Sequence, residues 1–134
     1  MITSYNPIYQ EFNIEGVRHI TPQNAFAEMQ NETAIMVDVR ERDEYTLESI
    51  PLNNVFFFPL SSIMEHIQNV PDNKPLIVVC EDGVRSTKIV NLFNRYGFHD
   101  VANLDGGIVK WKQSGYPVEG VIPLGCGCGC SCSK

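Results

Sequence analysis

Apolar residues fall along the chain in two alternating rhythms, short unbroken runs and helical stripes, and this alternation predicts the architecture. Residues 17–20 follow Gly16 as a short strand candidate. Thr21-Pro22 then opens a helix, because threonine caps well and proline suits the first helical position. Ala25, Phe26 and Met29 supply its apolar stripe. Residues 33–39 are nearly continuously β-branched or apolar, as expected of a strand buried on both faces. A short charged helix is predicted over 40–47 and a strand over 54–58, stopped by Pro59. Phe56, Phe57 and Phe58 read as its core positions. Ser61 or Ser62 is placed to cap a helix running through Asn69, and Pro71-Asp72-Asn73 turns the chain into a strand over 76–80. Ile89, Val90, Leu92, Phe93 and Tyr96 mark a helix over 86–96, closed by Gly97. A last strand over 100–104 and a last helix over 107–114, ended by Gly115, complete the pattern.

Strands that alternate with helices through short connections imply an α/β fold. The expected form is one domain over residues 17–118, a mostly parallel five-stranded sheet with helices on both faces. Residues 1–16 lack a clear period and read as an N-terminal extension laid on the body. After Val118 the composition turns to Gly, Ser and Cys, which cannot pack a core, so residues 119–134 read as a flexible tail.

A length of 134 residues fits a single core. Ten basic residues against 16 acidic ones give a net charge of −6 with no basic cluster. That balance argues against nucleic acid or an anionic membrane as main partner, since both need a basic footprint. No apolar run is long enough to span a bilayer, and the first residues lack the basic and apolar regions of a signal peptide. Cys80 stands alone in the body, whereas Cys126, Cys128, Cys130 and Cys132 crowd the last nine residues. Such a distribution cannot staple a fold with disulfides, and a reducing, cytoplasmic location is expected.

The candidate chemistry sits at Cys80-Glu81-Asp82-Gly83-Val84-Arg85-Ser86. Ligands of open α/β sheets bind beyond the carboxyl ends of the strands, and Cys80 ends one. The helix that follows offers unpaired N–H groups and a dipole that favours negative charge. Gly83 lets successive N–H groups converge on one point, and Arg85 adds a permanent positive charge. Together these favour a reactive thiolate and would hold the outer sulfur of a persulfide or the oxygens of an anionic donor. No histidine is placed by sequence as a base; His19, His66 and His99 read as surface or capping residues. Asp38 and Arg40, at the end of a neighbouring strand, read as groups behind the loop or as an ion pair. Trp111, beside Ile108, reads as core.

Three segments carry a family resemblance. They are Val37-Asp38-Val39-Arg40-Glu41 with Glu44-Tyr45, the loop from Cys80 to Ser86, and Leu104-Asp105-Gly106-Gly107-Ile108-Val109-Lys110-Trp111 followed by Gly115-Tyr116-Pro117-Val118. In this order and spacing the chain resembles a single-domain rhodanese, a sulfurtransferase family whose active-site cysteine cycles through a persulfide. Related phosphatases of the cell-cycle-activating type use a loop one residue longer, so the length here implies sulfur rather than phosphate chemistry. Where rhodaneses often carry Gly-His-Ile-Pro-Gly-Ala, this chain has Glu48-Ser49-Ile50-Pro51-Leu52-Asn53.

The resemblance implies sulfane-sulfur transfer through Cys80 from a small donor such as thiosulfate, or from a low-molecular-weight or protein persulfide. A thiol or cyanide would accept the sulfur, and no organic cofactor is implied. Glu81 and Asp82 oppose an anionic donor if they face the pocket, and bear on partner choice if they face solvent. Two other readings stand beside this one. The domain can be a non-catalytic binding module, or the Cys-x-Cys-x-Cys-x-Cys tail can carry copper or zinc on its thiolates. The tail thiols can equally accept sulfur from Cys80, or play no part.

Overall fold

The computed structural model describes residues 1–120. The strands are β1 (His19–Ile20), β2 (Ile35–Asp38), β3 (Val55–Phe57), β4 (Leu76–Val79) and β5 (Val101–Leu104). They form one sheet in the order β1-β5-β4-β2-β3, every neighbouring pair parallel. The helices are α1 (Pro22–Gln30), α2 (Arg42–Leu47), α3 (Val84–Arg95) and α4 (Gly107–Gln113). This is the α/β sandwich that the alternating pattern implies.

Strand pleating divides the core in two. Val37, Val78, Cys80 and Val101 face α3 through Ile89, Val90 and Phe93. Met36, Ile77, Val79 and Leu104 face the other way, onto Ala25 and Met29 of α1 and Ile108 and Trp111 of α4. β2 and β4 are buried on both faces, which is why their sequences are unbroken apolar runs. Thr21 caps α1 as expected, its side chain accepting from the Asn24 N–H.

Three local expectations need correction. The helix through Asn69 is replaced by two 3₁₀ turns, Ile63–Glu65 and Ile67–Asn69. Neither serine caps: the Ser61 N–H and hydroxyl both donate to the Glu41 carboxylate, and Ser62 makes no cap hydrogen bond. His66 breaks the segment between the turns at φ −119°, ψ 13°. Second, α3 begins at Val84 rather than Ser86. Third, Phe56 is 40% exposed, because β3 is an edge strand with one open face. Phe57 instead stacks on Tyr45 of α2 with ring centroids 4.4 Å apart.

The chain reverses its direction of travel across the sheet between β4 and β2. A crevice forms at such a point beyond the strand ends. Cys80 directly follows β4 and Asp38 ends β2, so topology alone puts them on neighbouring strand ends. Residues 1–16 lie along the β1–β5 edge: Ser4 bridges His19, and the Ile8 and Tyr9 N–H groups donate to the Asp105 carboxylate at 2.6 and 3.0 Å. Near the other end of the described residues Glu119 forms an antiparallel bridge with Ser49, so the segment expected to be flexible from 119 starts with a bound residue. Cys126, Cys128, Cys130 and Cys132, read as sulfur acceptors or metal ligands, lie outside the described residues. Among the described residues, no helix is long and apolar enough to cross a membrane.

Candidate active site

Cys80 is fully buried, and its sulfur is the point on which the loop closes. The Gly83 N–H donates to Sγ at 3.1 Å and the Ser86 N–H at 3.3 Å. The Ser86 hydroxyl stands 3.2 Å away. Gly83 takes φ +95°, a left-handed conformation that glycine adopts without penalty, and this turn lets both N–H groups reach one atom. Because α3 starts at Val84, both donors belong to the beginning of a twelve-residue helix whose dipole also points at the sulfur.

The back of the loop is braced by α4. Ile108 N–H donates to the Cys80 carbonyl and Val109 N–H to the Glu81 carbonyl, each at 3.0 Å. That approach needs Gly107: a Cβ there would collide with the Glu81 backbone, and the residue holds φ +67°. The start of α4 at Gly107 is thus a clamp on the Cys80 loop.

The two acidic residues divide. Asp82 Oδ1 accepts from the Val84 N–H at 3.1 Å and lies 3.9 Å from the Cys80 sulfur, so this carboxylate faces the pocket. Glu81, with its side chain 45% exposed, leans outward to 3.7 Å from Arg40. Arg40 and Asp38 form a buried pair at 2.9 Å, with Nε of Arg40 donating to the same carboxylate. Arg40 also donates to the carbonyls of Glu44 and Glu48 near the end of α2. The arrangement is a buried ion pair whose arginine touches the loop only through Glu81.

Arg85 departs most from expectation. Instead of standing free beside the sulfur, it grips Glu44 with two 2.8 Å hydrogen bonds. The guanidinium pulls the Glu44 carboxyl from 4.5 down to about 2, and Glu44 in turn raises Arg85. Much of its positive charge is therefore answered before any substrate arrives. Outside the loop, Arg40, Glu44, Leu47, Glu48 and Glu81 line a shallow groove.

Behind the sulfur lies a polar network that the sequence reading missed. His19 is 2% exposed, not a surface residue. Its Nε2 meets Asn13 Oδ1 at 2.7 Å and its Nδ1 meets Asn103 Nδ2 at 3.0 Å. Burial pushes the imidazole below its ordinary 6.5, against the pull of Asp105. Asn103 in turn meets Ser86 and Gln10. One signal was present in the sequence: Asn103 stands inside the otherwise apolar strand Val101–Leu104, and a buried polar side chain needs partners.

Comparison with known proteins agrees with this geometry. The family model of the rhodanese-like domain matches residues 21–114. The thiosulfate sulfurtransferase GlpE of Glaesserella parasuis is 32% identical over 105 residues, covering 78% of this chain and 95% of that protein. A tRNA uridine(34) hydroxylase of Bacillus velezensis is 29% identical over 103 residues, covering 74% of this chain but only 32% of that protein. The crystal structure of a rhodanese-related protein from Thermoplasma volcanium superposes with a TM-score of 0.68 at 28% identity, covering 75% of this chain and 96% of that one.

Proposed function

The chain belongs to the rhodanese family, and from that premise we propose that it is a sulfurtransferase which carries sulfane sulfur on Cys80. The observation that carries the reading is the convergence of the Gly83 and Ser86 N–H groups on one buried sulfur at the head of α3. The Cys80 thiolate attacks the outer sulfur of a donor. The donor's sulfur–sulfur bond breaks, its thiolate or sulfite leaves with the electron pair, and Cys80 becomes a persulfide. The loop N–H groups stabilise the charge on sulfur as it shifts outward. A thiolate or cyanide then takes the outer sulfur and returns Cys80 as thiolate.

The surroundings favour a persulfide donor over thiosulfate. Asp82 faces the sulfur, Glu44 occupies Arg85, and Glu48 and Glu81 line the neighbouring groove. A dianion meets repulsion there, whereas the thiol end of a persulfide carries less charge. Glu81→Arg and Asp82→Ser variants with unchanged thiosulfate affinity would argue against this donor preference. The chemistry suits a reducing, cytoplasmic setting.

The tail is a candidate acceptor. Gly120 packs against the Leu47 backbone, and Leu47 and Glu48 line the groove that also holds Glu81, the neighbour of Cys80. Six residues from Gly120 to Cys126 reach at most about 20 Å. Truncation after Gly120 should then slow discharge of a loaded Cys80. Truncation that strips bound copper or zinc without touching sulfur transfer would assign the four thiols to metal instead.

Thiocyanate formation from a persulfide donor and cyanide tests the main reading. The intact chain should turn over, and Cys80→Ser should fall to background. Turnover that survives Cys80→Ser would overturn it.

A further inference from the structure

We propose that Gln10, in the N-terminal segment outside the stretch matched by the family model, is a positioning residue that orients the Asn103 amide and thereby withholds the Ser86 hydroxyl from the Cys80 sulfur. The Gly106 backbone N–H can only donate, and it meets Gln10 Oε1 at 2.9 Å. The other end of the Gln10 amide, Nε2, donates to the Phe12 carbonyl at 2.8 Å and to Thr87 Oγ1 at 3.1 Å. The orientation of Gln10 is therefore fixed at both ends.

Asn103 meets Gln10 Oε1 at 2.9 Å, and an amide oxygen has no hydrogen to give, so Asn103 must present its NH₂ there. The second hydrogen of that NH₂ goes to His19 Nδ1. His19 in turn carries its proton on Nε2, because Asn13 Oδ1 already accepts the Ile14 N–H and can only accept again. With both Asn103 hydrogens committed, its oxygen is what faces Ser86 Oγ, and the one Ser86 hydrogen is spent on that oxygen. Toward Cys80, Ser86 offers only a lone pair. A thiol can donate to it, but a thiolate gains nothing from it and keeps only the two backbone N–H groups. Releasing the hydroxyl to the sulfur would leave the buried Asn103 oxygen unpaired, a costly state.

Gln10 is packed tightly enough to enforce this. A Cβ on Gly83 would fall on its side chain, and its Nε2 also lies 3.4 Å from the Gly83 carbonyl. The charged and titratable groups around the sulfur are Asp82, Arg85 with Glu44, and Glu81 with Arg40 on the outer side. Behind the network stand His19 and Asp105. Gln10 hydrogen-bonds to none of these side chains except through Asn103.

The inference rests on Cys80 as nucleophile. Its test reads sulfur reactivity without a sulfur donor, so its failure is separable from failure of the transfer assay. In the full chain, iodoacetamide labelling is followed on the Cys80 peptide by mass spectrometry at about pH 6 and about pH 9. Gln10→Met removes one of the two acceptors that pin the Asn103 NH₂, leaving only His19 Nδ1 against its turning, and lets Ser86 donate in the turned state. The ratio of the pH 6 rate to the pH 9 rate should rise by about tenfold, the worth of one hydrogen bond to a charged group. Asn103→Leu removes the competing acceptor and should give the same rise. Adding Ser86→Ala to either should erase it. Should both variants fail to fold by circular dichroism, Ser86→Ala alone decides, and it should not move the profile toward higher pH. Unchanged profiles in folded Gln10→Met and Asn103→Leu, a rise that persists without the hydroxyl, or a retreat to higher pH in Ser86→Ala would each overturn the proposal.

Discussion

The two sides of the Cys80 loop are built from different chemistry. On the inner side Gln10, His19, Ser86, Thr87 and Asn103 are joined by neutral hydrogen bonds, and four of the five are buried. On the outer side Glu44, Glu48, Glu81, Asp82 and Arg85 are charged and at least partly open to water. Neutral amides in a dry site hold fixed geometry at low desolvation cost. Half-exposed charges contribute little to stability but set the potential that a substrate meets. On the proposed function, the inner side positions the sulfur and the outer side selects what approaches it. Arg40 and Asp38 stand between the two, charged yet buried.

The sharpest break in this division is at Arg40. Arg40→Met leaves Asp38 as an uncompensated buried charge and should cost about 3–5 kcal/mol in urea unfolding. A cost as small as that of an exposed pair would place Arg40 with the outer side. Gly107→Ala comes next, because the new methyl presses on the Glu81 backbone at a left-handed position. A loss of about 1–3 kcal/mol is expected, with sulfur transfer falling further than stability alone explains. Equal losses in melting and in turnover would mean that α4 does not hold the loop.

Glu44→Gln tests the outer side. Freed from its partner, Arg85 should lower the KM for thiosulfate by about tenfold, an effect that salt should erode. Stability should change by less than about 1 kcal/mol, as for other exposed pairs. An unchanged KM would mean that the rim does not select donors.

The smallest expected effect is in pH. His19 lies below its ordinary 6.5 in the folded protein, so the unfolded chain binds the extra proton first. Its contribution is fully present above that value and is lost as pH falls from about 6.5, with a slope of at most about 1.4 kcal/mol per unit. Glu44 behaves similarly lower down, its contribution present above 4.5 and lost as pH falls toward about 2. A His19→Gln variant should flatten the first slope and leave the second. Stability that is level between pH 7 and pH 5 would contradict the neutral inner network.

The unbroken runs of β2 and β4, the Thr21-Pro22 start of α1 and the placement of Cys80 at a strand end were legible in the sequence, because each is set by local pattern. The two faces of the loop were not. Arg85 read as a free cation because its partner, Glu44, is 41 residues away and no pattern links them. His19 read as exposed because a two-residue strand shows no period, although its register opposite Asn103 decides its surroundings. Gln10 had no signal at all. Its role follows from an irregular segment folding over the β5–α4 turn, which only tertiary structure reveals.

The central claim is that Cys80 itself carries the sulfur. Intact-mass and peptide mass spectrometry of the full chain after exposure to a persulfide donor tests it most directly. One added sulfur atom on the Cys80 peptide, removed by cyanide with release of thiocyanate, is the predicted result. Added sulfur found only on the peptide containing Cys126 to Cys132, with Cys80 unmodified at every time point, would contradict the account.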